Sequence, residues 1–149
     1  MPPGAPAPRL GVVAPSPRQA LVGRGSLIAA ARRSSDSSSV RLSLIFGGSP
    51  VTLGEFELED KAFEINKLSV ELAREAAEAF SDGRHRWVIG DIGPGTKLPS
   101  LGNIAYDALE AALVEQCRGL IAGGADAILT ETNQDTLFIK AAVNAAKIA

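Results

Sequence analysis

Four polar side chains stand where a ligand could use them: Asp91, Asn103, Glu131 and Asp135. Glu131 lies in the run Thr130-Glu131-Thr132-Asn133-Gln134-Asp135, just beyond the apolar Ala127-Ile128-Leu129. A carboxylate in that place can hold a substrate ammonium or cap a following helix. Asp135 directly precedes an alanine-rich segment and suits the cap better, which leaves Glu131 for a ligand. Asp91 has the same placement after Arg86-Trp87-Val88-Ile89, in a loop so rich in glycine that bonding backbone amides is its other role. Asn103 ends that loop.

Other reactive types are scarce. His85 is the single histidine. It enters its strand from the end of a parallel sheet that carries stability, so a solvated turn is expected. Cys117, the single cysteine, falls in register with Leu113 and Leu120, as a small buried hydrophobe does. One cysteine makes no intramolecular disulfide and no zinc site by itself. The stretch Gly90-Asp91-Ile92-Gly93-Pro94-Gly95-Thr96-Lys97 invites comparison with phosphate loops. Its Thr and Lys stand in the reverse of the Walker order, no helix follows at once, and Pro94 interrupts a dinucleotide fingerprint.

The elements that must position these residues follow from periodicity. Lys61 to Phe80 carries Ile65, Leu68, Leu72, Ala76 and Phe80 at spacings of three and four, which predicts an amphipathic helix. Asp60 is placed to cap it and Ser81-Asp82-Gly83 to stop it. Arg86 to Ile89 reads as a buried strand ending at Gly90, followed by a loop from Asp91 to Asn103. A second helix spans Tyr106 to Ala122, with Leu109, Ala112, Leu113, Cys117, Leu120 and Ile121 inward and Gly123-Gly124 beyond its end. Ala127 to Leu129 is a further buried strand, and Thr136 to Ala149 a third helix. Strand and helix alternate, which argues for βα units on a parallel sheet whose carboxyl-end loops carry ligands.

Composition separates this region from what precedes it. Residues 1–45 carry six arginines against one acid, Asp36, whereas residues 46–149 carry nine basic and sixteen acidic side chains. Six of the nine prolines fall between Pro2 and Pro17, and serines cluster from Ser34 to Ser39. Proline removes backbone donors, so this segment is expected to be a disordered extension, with a transit peptide or a basic nucleic-acid tail as the competing readings. Its one apolar-periodic stretch, Ala20 to Ala31, is broken by Gly23 and Gly25. Aromatic content of 5% weakens a base-stacking platform. No apolar run is long enough to span a bilayer. The lone cysteine points to a reducing compartment, the cytoplasm.

Three segments together resemble the homocysteine-binding (homocysteine S-methyltransferase) domain of cobalamin-dependent methionine synthases. They are Leu58 to Asn66, Ile92 to Gly102 (Ile-Gly-Pro-Gly-Thr-Lys-Leu-Pro-Ser-Leu-Gly) and Thr130 to Asp135. The resemblance runs from about Phe46 to Ala149. It implies a partial (β/α)8 TIM barrel of about three βα units behind the disordered N-terminal extension. It also implies methyl transfer to a zinc-activated homocysteine thiolate, with zinc and cobalamin as cofactors of the full system. Its partners would be homocysteine, the rest of the barrel, and cobalamin and folate modules, with neither nucleic acid nor membrane. Glu131 matches the acid that contacts the substrate ammonium, with Asp91, Asn103 and Asp135 beside it at the mouth.

Departures from that family pattern are specific. The opening Asp-Gly-Ala-Met-Gly-Thr-like turn is missing, and Ser43-Leu44-Ile45-Phe46-Gly47 stands where Thr-Asn-Thr-Phe-Gly is expected. The family's three zinc-binding cysteines belong to later strands, and Cys117 matches none of them. The expected behaviour is therefore that of a truncated domain, inactive alone. A noncatalytic βα interaction or assembly module is the alternative.

Overall fold

A computed structural model describes residues 40–43, 47–79 and 82–149. The Pro/Arg/Ser-rich segment up to residue 39, with its Ala20–Ala31 stretch, lies outside the described residues. So do Leu44, Ile45, Phe46, Phe80 and Ser81. Three strands, β1 (Val40–Ser43), β2 (Trp87–Ile92) and β3 (Ala127–Thr130), form one parallel sheet in sequence order. Four helices connect or follow them: the short α1 (Pro50–Leu53), α2 (Ala62–Ala79), α3 (Tyr106–Ala122) and α4 (Thr136–Ile148). The α/β class and the βα alternation agree with the sequence pattern. β1 ends two residues before the composition boundary at 45/46 and pairs with β2 from Val40↔Trp87 to Ser43↔Gly90, so the sheet reaches across that boundary.

The helices pack one face of the sheet; on the other, Trp87 and Leu129 are exposed while Asp91 is buried. Side chains alternate along a strand, so Val88, Gly90 and Ile92 point one way and Trp87, Ile89 and Asp91 the other. Val88 and Ile92 are fully buried in one core with Val70 and Ala77 of α2, Leu109, Leu113, Cys117 and Leu120 of α3, and Phe138, Ala141 and Ala145 of α4. A Cβ on Gly90 would meet Leu120 Cβ at 3.0 Å and Ile128 Cδ1 at 3.1 Å, which places Ile128 on the same side. All three long helices therefore cover one face. Trp87 (52% exposed) and Leu129 (36%) lie on the other. The expectation of a buried strand at Ala127–Leu129 is corrected in part: β3 is half-exposed because no strand beyond it and no helix on that face covers it among the described residues.

α2 buries a different face from the one its large side chains suggest. Ala62, Asn66, Val70, Ala76 and Ala77 are buried, whereas Leu68 is exposed. The cause is on α3. A Cβ on Gly119 would sit 2.6 Å from the Phe63 carbonyl oxygen, and one on Gly123 2.5 Å from that of Lys67. Bare glycine backbone lets the two helices approach closely, and only small side chains fit that seam. Asn66 uses the seam to donate to the carbonyls of Gly48 and Ala62, both at 2.7 Å, tying the loop after β1 to the helix. Asp60 does not cap α2; it lies in a 3-10 turn (Glu59–Lys61) that leads into it. On α3, Ile121 is exposed, and Val114 and Gln116 are buried in its stead. No helix among the described residues is long and apolar enough to cross a membrane.

Candidate functional site

β2 runs further than its apolar run indicated. Gly90-Asp91-Ile92 continues the ladder, pairing Gly90↔Ile128, Asp91↔Leu129 and Ile92↔Thr130. Asp91 is thus a buried strand residue, 2% exposed, and not part of the following loop. The missed signal was Ile92, which extends the strand pattern across the glycine. Register fixes the consequence. Asp91 lies on the side of the sheet away from the helices, beside Leu129, and Glu131 follows two residues later on that side. The Glu131 amide donates to the Ile92 carbonyl at 3.2 Å, carrying the ladder one step past β3. Burial, and then the Glu131 charge, push the Asp91 carboxyl up to about 6. The two carboxylates are close enough to feel each other at the carboxyl end of adjacent parallel strands.

Asp135 and Asn103 are spent on holding the loop that borders this pair. Asp135 caps α4, its Oδ1 accepting from the amides of Leu137 at 2.8 Å and Phe138 at 3.3 Å. Its Oδ2 accepts from Ser100 Oγ at 2.6 Å and the Ser100 amide at 3.0 Å. Those bonds, the Ser100 hydroxyl first, hold its carboxyl below the ordinary value. Asn103 Oδ1 accepts from the Leu98 amide at 2.6 Å, inside the loop. Thr96 Oγ1 donates to Glu55 Oε1 at 2.6 Å, and Gly95 lies so close to Phe138 that a Cβ would approach its ring to 2.7 Å. The loop from Gly93 to Asn103 is therefore pinned to the segment before α2 and to α4. Of the four candidates, the structure brings Asp91 and Glu131 together and gives Asp135 and Asn103 bonds within the protein.

The amino ends of the strands, opposite this pair, are built as a brace. Arg74 of α2 donates to Asp126 Oδ2 and to the Gly124 carbonyl, both at 2.7 Å, and the same Asp126 oxygen accepts from the Val88 amide at 2.7 Å. The Val88 amide and then Arg74 hold the Asp126 carboxyl below its ordinary value. Asp82 accepts from Arg86 and Arg84, which hold its carboxyl well below the usual range. His85 is exposed there, edge-on to Trp87 with ring centres 4.2 Å apart. Structural ion pairs thus gather at the strands' amino ends and the carboxylate pair at their carboxyl ends.

The sequence profile described as Homocysteine S-methyltransferase matches residues 40–149, taking in all three strands and the long helices. The chain belongs to the homocysteine S-methyltransferase family. The methionine synthase of Mycobacterium tuberculosis (strain ATCC 25618 / H37Rv) is 42% identical over 99 residues, which are 66% of this chain and 8% of that protein. The methionine synthase of Mycobacterium leprae (strain TN) is 41% identical over 99 residues, with the same coverage. The chain thus spans about 8% of the length of these relatives.

For a homocysteine S-methyltransferase, zinc is the metal the resemblance implies, and the described residues do not fit it. Among them no group of three or more His, Cys, Asp or Glu side chains converges. Cys117 is fully buried on the inward face of α3, and burial pushes its thiol up to about 11, so it offers no thiolate to a metal.

Proposed function

We propose that this chain supplies the part of a homocysteine S-methyltransferase barrel that seats the amino-acid end of homocysteine, with Glu131 and Asp91 accepting the substrate ammonium. The Asp91–Glu131 pair carries the reading. Two carboxylates brought together at the carboxyl ends of neighbouring strands repel, and the buried one holds its proton unusually well. An ammonium placed between them turns that repulsion into two charge-assisted hydrogen bonds. The pinned Gly93–Gly102 loop would wall the pocket and keep water off these bonds, with Asn103 and Asp135 acting through the loop.

In the same reading the sheet is an arc of a (β/α)8 barrel. Helices on a single face, parallel strands in sequence order, and a ligand pair at the carboxyl end all fit that plan. Further βα units would pair with the outer edge of β3 and cover Trp87 and Leu129. The family-level reaction moves a methyl group to the homocysteine sulfur, giving methionine. Zinc and cobalamin would come from beyond the residues described, and the chain alone would bind without turning over. A noncatalytic assembly module is the second reading, favoured by the same uncovered apolar side chains.

The test is calorimetric titration of homocysteine into the chain and into its Glu131→Gln variant. Removing the charged partner of an ammonium weakens binding by about tenfold or more. Equal affinity in the two proteins would refute the ammonium seat.

A further inference from the structure

Glu131 is held by a backbone arrangement that its own side chain does not explain. Thr132, the next residue, has a φ of 56°. A β-branched residue in the left-handed region is strained, typically by about 1–3 kcal/mol, and such strain persists only where surrounding bonds enforce it. The enforcing group is Asn133. Its Nδ2 donates to the Glu131 carbonyl at 2.9 Å and to the Ile92 carbonyl at 3.3 Å. The Ile92 carbonyl also accepts from the Glu131 amide, so one acceptor at the end of β2 receives both. One side-chain amide thereby clips the ends of β2 and β3 together and holds the peptide after Glu131, while the ladder bond to Ile92 holds the peptide before it.

We infer that Asn133 is a positioning residue for the ammonium seat, holding Glu131 on the Asp91 side of the sheet through this clip. The inference rests on the reading of Asp91 and Glu131 given above. Both backbone groups of Glu131 are engaged, and its side chain is left partly exposed as the group free to meet a ligand. Without the Asn133 amide, the Glu131 carbonyl loses the bond that holds the Glu131–Thr132 peptide, and Thr132 can relax toward an ordinary conformation. That relaxation rotates the Glu131 peptide and carries its carboxylate away from Asp91.

Carbon-detected NMR titration of the Asp91 carboxyl tests this in the full chain, in Glu131→Gln and in Asn133→Ala. The Asp91 midpoint, about 6 in the parent, is expected to fall by roughly half a pH unit or more in Glu131→Gln, and by a similar amount in Asn133→Ala. A purely structural asparagine would alter stability without moving that midpoint. Asn133→Leu keeps the bulk, removes the amide, and gives the same readout should the alanine variant fold poorly. A lowered midpoint in Glu131→Gln with a parental one in both Asn133 variants overturns the positioning role and leaves the carboxylate pair intact. An unchanged midpoint in Glu131→Gln overturns the pair itself, and the positioning role with it.

Discussion

Ser100 and Asp135 are joined twice, through the serine hydroxyl at 2.6 Å and its amide at 3.0 Å, onto one carboxylate oxygen whose partner oxygen caps α4. A loop residue and a helix start 35 positions away therefore share one anion. Asp135→Ala loses the cap and the loop anchor together and is expected to lower stability by about 2 kcal/mol. Ser100→Ala removes one bond and costs about 1 kcal/mol. Urea unfolding of the double mutant should fall short of the summed single effects, because the two changes remove one interaction. Strict additivity would show that the tie is not formed.

The α2–α3 seam makes a second, sharper prediction. Gly119→Ala places a methyl 2.6 Å from the Phe63 carbonyl oxygen and 2.9 Å from Asn66 Cβ. Helix propensity alone would favour alanine by about 1 kcal/mol. The contact dominates, since the obstruction is backbone that cannot swing aside, and a net loss of about 1–3 kcal/mol is expected. Thermal unfolding reads the sign directly; a stabilised variant would mean that the helices do not approach this closely.

Asp91 sets a pH signature. Its folded value of about 6 lies above the 3.8 of the free group, so the folded chain holds this proton more tightly than the unfolded one. The group's contribution to stability is complete below about pH 3.8 and is lost as pH rises to about 6 and beyond. Asp91→Asn removes that dependence. It should match the parent near pH 4 and exceed it by about 3 kcal/mol near pH 8. Denaturant melts at the two pH values check this, and a difference that does not grow with pH would contradict it.

Cys117 should be silent. Its buried thiol is expected to react with a thiol reagent only when denaturant exposes it, and zinc titration of the folded chain should show no tight stoichiometric equivalent. Rapid labelling in buffer, or one tightly bound zinc, would contradict a sulfur buried on the inward face of α3.

The sequence carried the types of the three long helices and of β2 and β3, because each such helix has an apolar period and each of those strands a short apolar run; β1, Val-Arg-Leu-Ser, has none and falls within the segment expected to be a disordered extension. It failed where glycine decides packing. Gly119 and Gly123 leave no mark in a hydrophobic pattern, yet they choose the buried face of α2 and put Asn66, a polar residue, at its centre. Gly90 reads as the end of a strand that in the structure runs on to Ile92, so Asp91 lies in the sheet and not in a loop. The cap at Asp135 was legible because an N-cap is a local contract between one side chain and the next turn. Asn133 was not, because its partners are the carbonyl of Ile92, 41 positions away, and the backbone of Glu131. Only the register of β2 against β3 could reveal that the two acids meet.

That meeting is best tested with two ligands differing in one group. Homocysteine and its amine-free analogue 4-sulfanylbutanoic acid share the thiol, the chain length and the carboxylate. Titrated into the chain at neutral pH, homocysteine should move the Asp91 and Glu131 carboxyl resonances together, while the analogue leaves both in place. Equal perturbation by the two ligands, or homocysteine leaving both resonances unmoved, would contradict an ammonium seat between these strands.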